Sequence, residues 1–296
     1  MFATLLGSLP RPPLPDDASP SELLAAAVRA QEAAGLEPIC DAGFGVGATA
    51  AERWAATAAL TGRPVKAVLP GPYSSARTAA EARQAANALR LDLLSLAGAG
   101  CPVIEIHEPG ATAIGTDEVE RARFRETHRR LLDGVTGVHL SLVITGGNAD
   151  AAGVETLLVA PYASLALDLI AGPDNWRLVV ATPGDRGVVC GALSAERDAD
   201  DRVELLLWAA GYAASTGGRG STRVGLATAS SLAALPWEVA ERKLALLGQA
   251  ATLADLPPDE RRLRLDPRAV DIRSAALGRV MPRRRIARRD RPPGQA

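Results

Sequence analysis

Residues 101–109 read Cys-Pro-Val-Ile-Glu-Ile-His-Glu-Pro, and the interpretation of this stretch decides the fold. Val103, Ile104 and Ile106 are β-branched, which suits a pleated, buried strand. Side chains alternate along a strand, so Glu105 and His107 share one face and Ile106 and Glu108 the other. Pro109 has no N–H to give to a ladder and ends it. The strand therefore delivers ionisable groups at its C-terminal end. In open parallel sheets and in closed barrels, that end is where ligands are held. Glu105 and His107, on one face, are also placed to pair with each other.

Outward from this strand, the same punctuation repeats. Upstream, Val65 to Leu69 reads as a strand broken by Pro70-Gly71-Pro72, and Thr78 to Ala97 as an Ala-rich helix closed by Gly98. Earlier still, Phe2 to Ser8 reads as a first strand. Ser19-Pro20-Ser21-Glu22 opens a helix with a Ser cap, Pro at the first position and Glu three residues after the cap. That helix runs over Leu23 to Ala34 and stops at Gly35. Glu37 to Cys40 reads as a short strand, and Ala50 to Leu60 as a helix. Downstream, helices are expected over Asp117 to Asp133 (with Thr116 as cap), Ala149 to Leu158, Arg202 to Ala214 and Trp237 to Leu253. Strands are expected over Gly137 to Ile144, Ser164 to Ile170, Gly187 to Leu193 and Thr222 to Leu226.

About eight strands that mostly alternate with helices argue for parallel α/β. With a length of 296 residues, the pattern favours a (β/α)8 barrel, the TIM-barrel class, over a doubly wound sheet. We expect one barrel over residues 1–256 and an Arg/Pro-rich extension over 257–296. The extension reads as a solvated terminus, or as a basic arm for a second subunit, a partner protein or an anion.

Composition narrows the function. Apolar residues make up 47% of the chain and aromatics only 3%, so Leu, Val and Ala must fill the core. The net charge of −1 gives no drive toward nucleic acid or acidic membranes. Trp54, Trp176, Trp208 and Trp237 are scattered and form no stacking stripe for nucleic acid. No apolar run is long enough to span a bilayer. The three cysteines, Cys40, Cys101 and Cys190, form no CxxC pair, which fits a reducing cytoplasm. Gly217-Gly218-Arg219-Gly220 reads as a turn and lacks the strand-before, helix-after context of a phosphate loop. His128, on a highly charged helix, reads as solvated.

Several motifs, in order, resemble the cobalamin-independent methionine synthase family. Leu6-Gly7-Ser8-Leu9-Pro10-Arg11 is similar to its I-G-S-F-P-R opening, and Val68-Leu69-Pro70-Gly71-Pro72 to its M-L-T-G-P. Ile106-His107-Glu108-Pro109 resembles I-D-E-P. Leu165 to Asn175 and Gly187 to Ser194 resemble its sixth and seventh strands, and Gly225-Leu226-Ala227-Thr228 with Trp237-Glu238 resembles G-L-K-T…W-E. The resemblance covers roughly residues 1 to 253.

It implies a barrel that transfers a methyl group from a methyl-tetrahydrofolate to a thiol held on zinc. The family's ligand pattern is H-x-C on strand five, an acid on strand six and a Cys before G-L-K-T. Here His139 and Asp168 fit the His and the acid, while Ser141 and Val224 stand where cysteines belong. The zinc site is therefore degraded, because one His and one Asp make a poor tetrahedral site. A set rebuilt from His139, Asp168 and Cys190, with His107 as a further candidate, has ligand types that suit zinc. His107 also replaces the Asp of I-D-E-P, and Phe44 stands about where an acid usually follows. Ser8 resembles the residue that holds the substrate carboxylate.

These readings make His107, His139 and Asp168 the candidate catalytic residues. Ser8, Arg11, Asp41, Tyr73, Glu108 and Ser141 are the candidate substrate-binding residues. The leading function is methyl transfer to a small, possibly thiol, acceptor. Two rivals remain: another enzyme on the same barrel with His107 and Asp168 as acid and base, and a non-catalytic barrel that binds a small ligand or a partner protein.

Overall fold

A computed structural model of the chain describes residues 1–257 and 259–261. Among them, strands β1 (Phe2–Thr4), β2 (Lys66–Pro70), β3 (Val103–His107), β4 (His139–Ile144), β5 (Ser164–Asp168), β6 (Gly187–Leu193) and β7 (Val224–Thr228) form one sheet. All pairings are parallel, in the order β1-β7-β6-β5-β4-β3-β2. The connecting helices are α1 (Pro20–Ala33), α2 (Ala50–Ala58), α3 (Ala79–Gly98), α4 (Glu118–Leu132), α5 (Val154–Leu157), α6 (Trp176–Ala181), α7 (Val203–Ser215) and α8 (Trp237–Ala254). Apart from 257 and 259–261, the extension expected over 257–296 lies outside the described residues.

Local chemistry sets these helices. Ser19 with Glu22, Thr49 with Glu52 and Thr78 with Glu81 each form a reciprocal capping box. Each box satisfies two N–H groups that a helix start would leave unpaired. Helix α4 is capped by Asp117 rather than Thr116; the Asp117 carboxylate accepts from Val119 and Glu120 N–H groups. A charged acceptor at the positive end of a helix is the stronger cap.

The pleat separates two environments. Ile104, Ile106, Leu140, Leu142, Leu165, Leu167, Val188 and Cys190 belong to the main core, together with helix residues such as Leu93, Phe124 and Leu206. On the other face Leu6, Val143, Ala166, Val189 and Ala227 form a cluster of their own. Leu6 follows β1 and Val143 lies on β4, strands that are not neighbours. The two sheet edges nevertheless approach each other, since Lys66 Nζ on β2 donates to Leu5 O just after β1 (2.7 Å); the sheet therefore curls into a half-barrel with an inner and an outer face.

The expected eight-stranded barrel is corrected at one place. Residues 37–40 do not form a strand; they contribute one bridge, Ile39 to Val65. Pro38 has no N–H, which breaks the ladder. The segment still spans the two sheet edges: Glu37 N–H donates to Ala3 O (2.8 Å) and Lys66 N–H to Ile39 O (2.8 Å).

Three smaller departures matter. Helix α6 is an addition to the expected elements, and it brings the Trp176 ring centroid within 5.3 Å of those of Trp208 and Tyr212, so two of the four tryptophans cluster rather than scatter. The helix expected over Ala149 to Leu158 divides at Gly153 (φ 82°) into a 3-10 turn, Asp150–Ala152, and α5. The turn at Gly217 to Gly220 is present, but Arg219 is buried in it. Its guanidinium donates to the carbonyls of Arg186, Ala213 and Thr182 at 2.8–3.0 Å, tying the end of α6 to the end of α7.

Candidate active site

The C-terminal end of β3 carries a chain of charge that begins on β2. Lys66 and Glu105 lie on adjacent strands, and both side chains are buried, at 0% and 4% exposure. Lys66 Nζ donates to Glu105 Oε1 (2.7 Å) and to Leu5 O (2.7 Å), the latter across the gap between the two sheet edges. The other carboxylate oxygen, Glu105 Oε2, lies 3.2 Å from His107 Nε2. The His107 ring is 18% exposed. Burial pushes the Glu105 carboxyl up, but the Lys66 ammonium and the His107 ring more than reverse this and hold it below the usual carboxylate range. An ionised carboxylate only accepts, so Nε2 carries a proton, and in the neutral ring Nδ1 then keeps its lone pair. The expected Glu105–His107 pairing is therefore present.

Glu108 faces the opposite way and enters a buried network. It accepts from Tyr73 N–H (2.9 Å), Ser74 N–H (2.7 Å) and the Ser74 hydroxyl (2.5 Å). His128 Nε2 lies 3.2 Å from the same carboxylate, without hydrogen-bond alignment. His128 is not solvated: it is fully buried, stacked on Phe124 at 4.0 Å, with Nδ1 2.6 Å from the Tyr162 hydroxyl. Burial, with the Glu108 charge, keeps that phenol protonated well above its ordinary range, so it donates to Nδ1. Tyr73 is buried too, its hydroxyl donating to Glu120 Oε2 at 2.6 Å. Glu108 and Tyr73, expected to bind substrate, thus hold the loop after β2 in place through contacts within the protein.

Asp168 closes β5 and is also committed. Its Oδ1 accepts from the N–H groups of Ile170 (2.9 Å) and Ala171 (2.8 Å), and its Oδ2 from Gly146 N–H (3.0 Å). It fixes the loops after β4 and β5 and is only 2% exposed.

The expected metal set does not assemble. His139 and Val224 open β4 and β7, whereas Asp168 ends β5. His139 is level with Val103, while Ile144 is level with Leu167, next to Asp168. At about 3.3 Å per residue the His and the acid are on the order of 20 Å apart along the strands. Cys190 belongs to the outer core, its thiol nearest Ala209 O of α7, and burial pushes that thiol up to about 12. Among the described residues no group of three or more His, Cys, Asp or Glu is arranged to hold a metal. The donor set therefore does not fit zinc.

His139 instead meets Ser164, Nε2 to Oγ 2.8 Å, at the N-terminal end of the sheet. Burial of its inner side holds the ring below its ordinary value, opposed by the Glu105 charge. Ser141 is buried level with Glu105, and its hydroxyl has no partner. At the mouth, Ser8 is half-buried and its hydroxyl sits against Gly43, where a side chain would displace it. Asp41 is half-buried and accepts from Gly43 N–H (3.1 Å). Arg11 is exposed and bound to the Pro15 and Asp16 carbonyls at 2.9 and 3.3 Å. Of the predicted residues, His107, Ser8 and Asp41 keep polar atoms available near the strand ends.

Lys66 escaped the sequence reading. Its signal was an ionisable residue inside the apolar run Val65 to Leu69, the same signal that singled out Glu105.

No family model matches the sequence, and no curated protein matches it. Solved structures do. A B12-independent methionine synthase from Shewanella sp. W3-18-1, in complex with selenomethionine, superposes with a TM-score of 0.71 at 16% identity, over 89% of this chain and 99% of that one. A putative vitamin-B12 independent methionine synthase from Listeria monocytogenes gives 0.66 at 13% identity, over 85% and 97%. A methyltransferase from Methanosarcina mazei gives 0.58 at 16% identity, over 85% and 94%. At these identities the likeness is one of fold.

Proposed function

We propose that the chain is a methyltransferase-like enzyme that methylates a small acceptor, of thiol type, from a methyl-tetrahydrofolate-type donor. The observation that carries this reading is the Glu105-bound His107 at the C-terminal end of β3, on a fold shared with methionine synthases and a methyltransferase. On this reading residues 37–40 fill the eighth position of the barrel wall. Ser8 and Asp41 hold the polar end of the acceptor. His107 Nδ1 takes the acceptor's proton as the sulfur attacks the methyl carbon. The new S–C bond forms, the N–C bond of the donor breaks, and the proton passes to the donor nitrogen. The thiolate is made by a base, so no metal-ligand set is required.

The test is transfer of isotope-labelled methyl from methyl-tetrahydrofolate to a panel of small thiols. The reading expects a labelled thioether, with the rate reduced about 100-fold or more in His107→Gln. Absence of label in every thiol, with folded protein and saturating donor, overturns it. A second reading keeps His107 as the acid–base group for another substrate. It is favoured by the same Glu105 contact, but not with Asp168 as partner, since that carboxylate already accepts three backbone N–H groups.

A further inference from the structure

We propose that Lys66 is a positioning residue for His107: its buried ammonium anchors Glu105 through Oε1, and the carboxylate's other oxygen, Oε2, fixes the imidazole proton on Nε2. The inference rests on the reading above only for the use of Nδ1. The state of the ring is measurable without any substrate.

The geometry is a linear relay. Glu105 has two oxygens and one partner for each, Lys66 on Oε1 and His107 on Oε2. Lys66 has no exposed surface, and its remaining acceptor is the neutral Leu5 carbonyl. The pair is therefore internally neutral, and His107 has no net charge to balance. Other titratable groups lie around this relay. Cys40, near Lys66 and Glu105, stays a thiol because burial pushes it up to about 12, and Asp41 lies beside it. Asp168 on β5 is held by backbone N–H groups. Glu108, next in sequence, lies against His128. His139 of β4 lies at the far end of the sheet, level with Lys66 through Val103.

Removing the ammonium leaves a buried carboxylate beside an imidazole. A buried, unpaired charge is strongly disfavoured and draws a proton. If the proton goes to His107, both ring nitrogens carry hydrogen. If it goes to Glu105, the new O–H donates to Nε2 and the ring proton moves to Nδ1. Both routes place a hydrogen on Nδ1 and remove the lone pair.

The chain has three histidines, so long-range proton–nitrogen NMR of the imidazoles resolves each ring, with assignment by single His→Gln variants. In the wild-type chain the neutral His107 ring should carry its hydrogen on Nε2 and none on Nδ1. In Lys66→Met, Nδ1 should be protonated. In Glu105→Gln, which leaves Lys66 unopposed, the His107 titration should move down by about one unit or more. This second variant keeps the test alive if Lys66→Met does not fold. An unprotonated Nδ1 in Lys66→Met, or an unmoved titration in Glu105→Gln, overturns the proposal. Failure of methyl transfer alone leaves these ring states unchanged, so the two claims fail separately.

Discussion

Replacing Glu108 with Ala separates two roles that the sequence alone does not distinguish. As a substrate ligand, Glu108 would cost activity and little stability. In the structure it is a buried acceptor for two backbone N–H groups and one hydroxyl, and it lies 3.2 Å from the buried His128. Each hydrogen bond to a charged acceptor contributes about 1.5–3 kcal/mol net, but bonds to one carboxylate are not additive. Each buried donor left without an acceptor costs about 1–3 kcal/mol, and for two backbone N–H groups and a hydroxyl we adopt about 3–5 kcal/mol in total. For a chain of this size the loss corresponds to a drop in Tm on the order of 10 °C. Urea unfolding and calorimetry on Glu108→Ala measure it directly. His128→Leu, which leaves Glu108 its three donors and takes a partner only from the Tyr162 hydroxyl, should destabilise less. A loss under about 1 kcal/mol in Glu108→Ala would refute the assignment of Glu108 as the bolt of the β2 loop.

Two further predictions follow from the same contacts. Gly71→Ala places a Cβ on the Glu108 carboxyl, which is held by its partners and has nowhere to move, so the variant should lose about 1–3 kcal/mol in urea unfolding. Glu105 is held below the ordinary carboxylate range when folded, and the unfolded chain titrates near ~4.3. The unfolded state therefore binds more protons in acid; the stabilisation is complete above that value and is lost as pH falls through the folded one. Wild-type stability should fall more steeply than that of Glu105→Gln between about pH 5 and pH 3.

Much of the fold was legible because its causes are local. The capping box at Ser19 is a four-residue pattern, and β3 announces itself by β-branched residues and a following proline. The segment 37–40 misled because a short apolar run reads as a strand, whereas Pro38 prevents a continuous ladder. The burial of His128 is masked by the charged residues around it on α4. Phe124, Thr127, His128, Leu131 and Leu132 are the buried residues of α4, at the three- and four-residue intervals of a core-facing stripe, and that interval was present in the sequence. The site was harder. Which end of a strand holds a residue depends on where the strand begins, and resemblance placed His139 and Val224 in a mouth when they open their strands. The Lys66–Glu105 contact joins residues 39 apart in sequence. Each alone reads as an isolated charge in an apolar run.

The most direct measurement of the central claim is a titration of the chain with methyl-tetrahydrofolate while the three histidine rings are observed by NMR. The account predicts that the His107 signals shift saturably, while those of buried His128 and of His139, at the opposite end of the sheet, stay in place. Movement of His139 without His107, or no movement at saturating donor, would contradict an active site at the C-terminal end of β3.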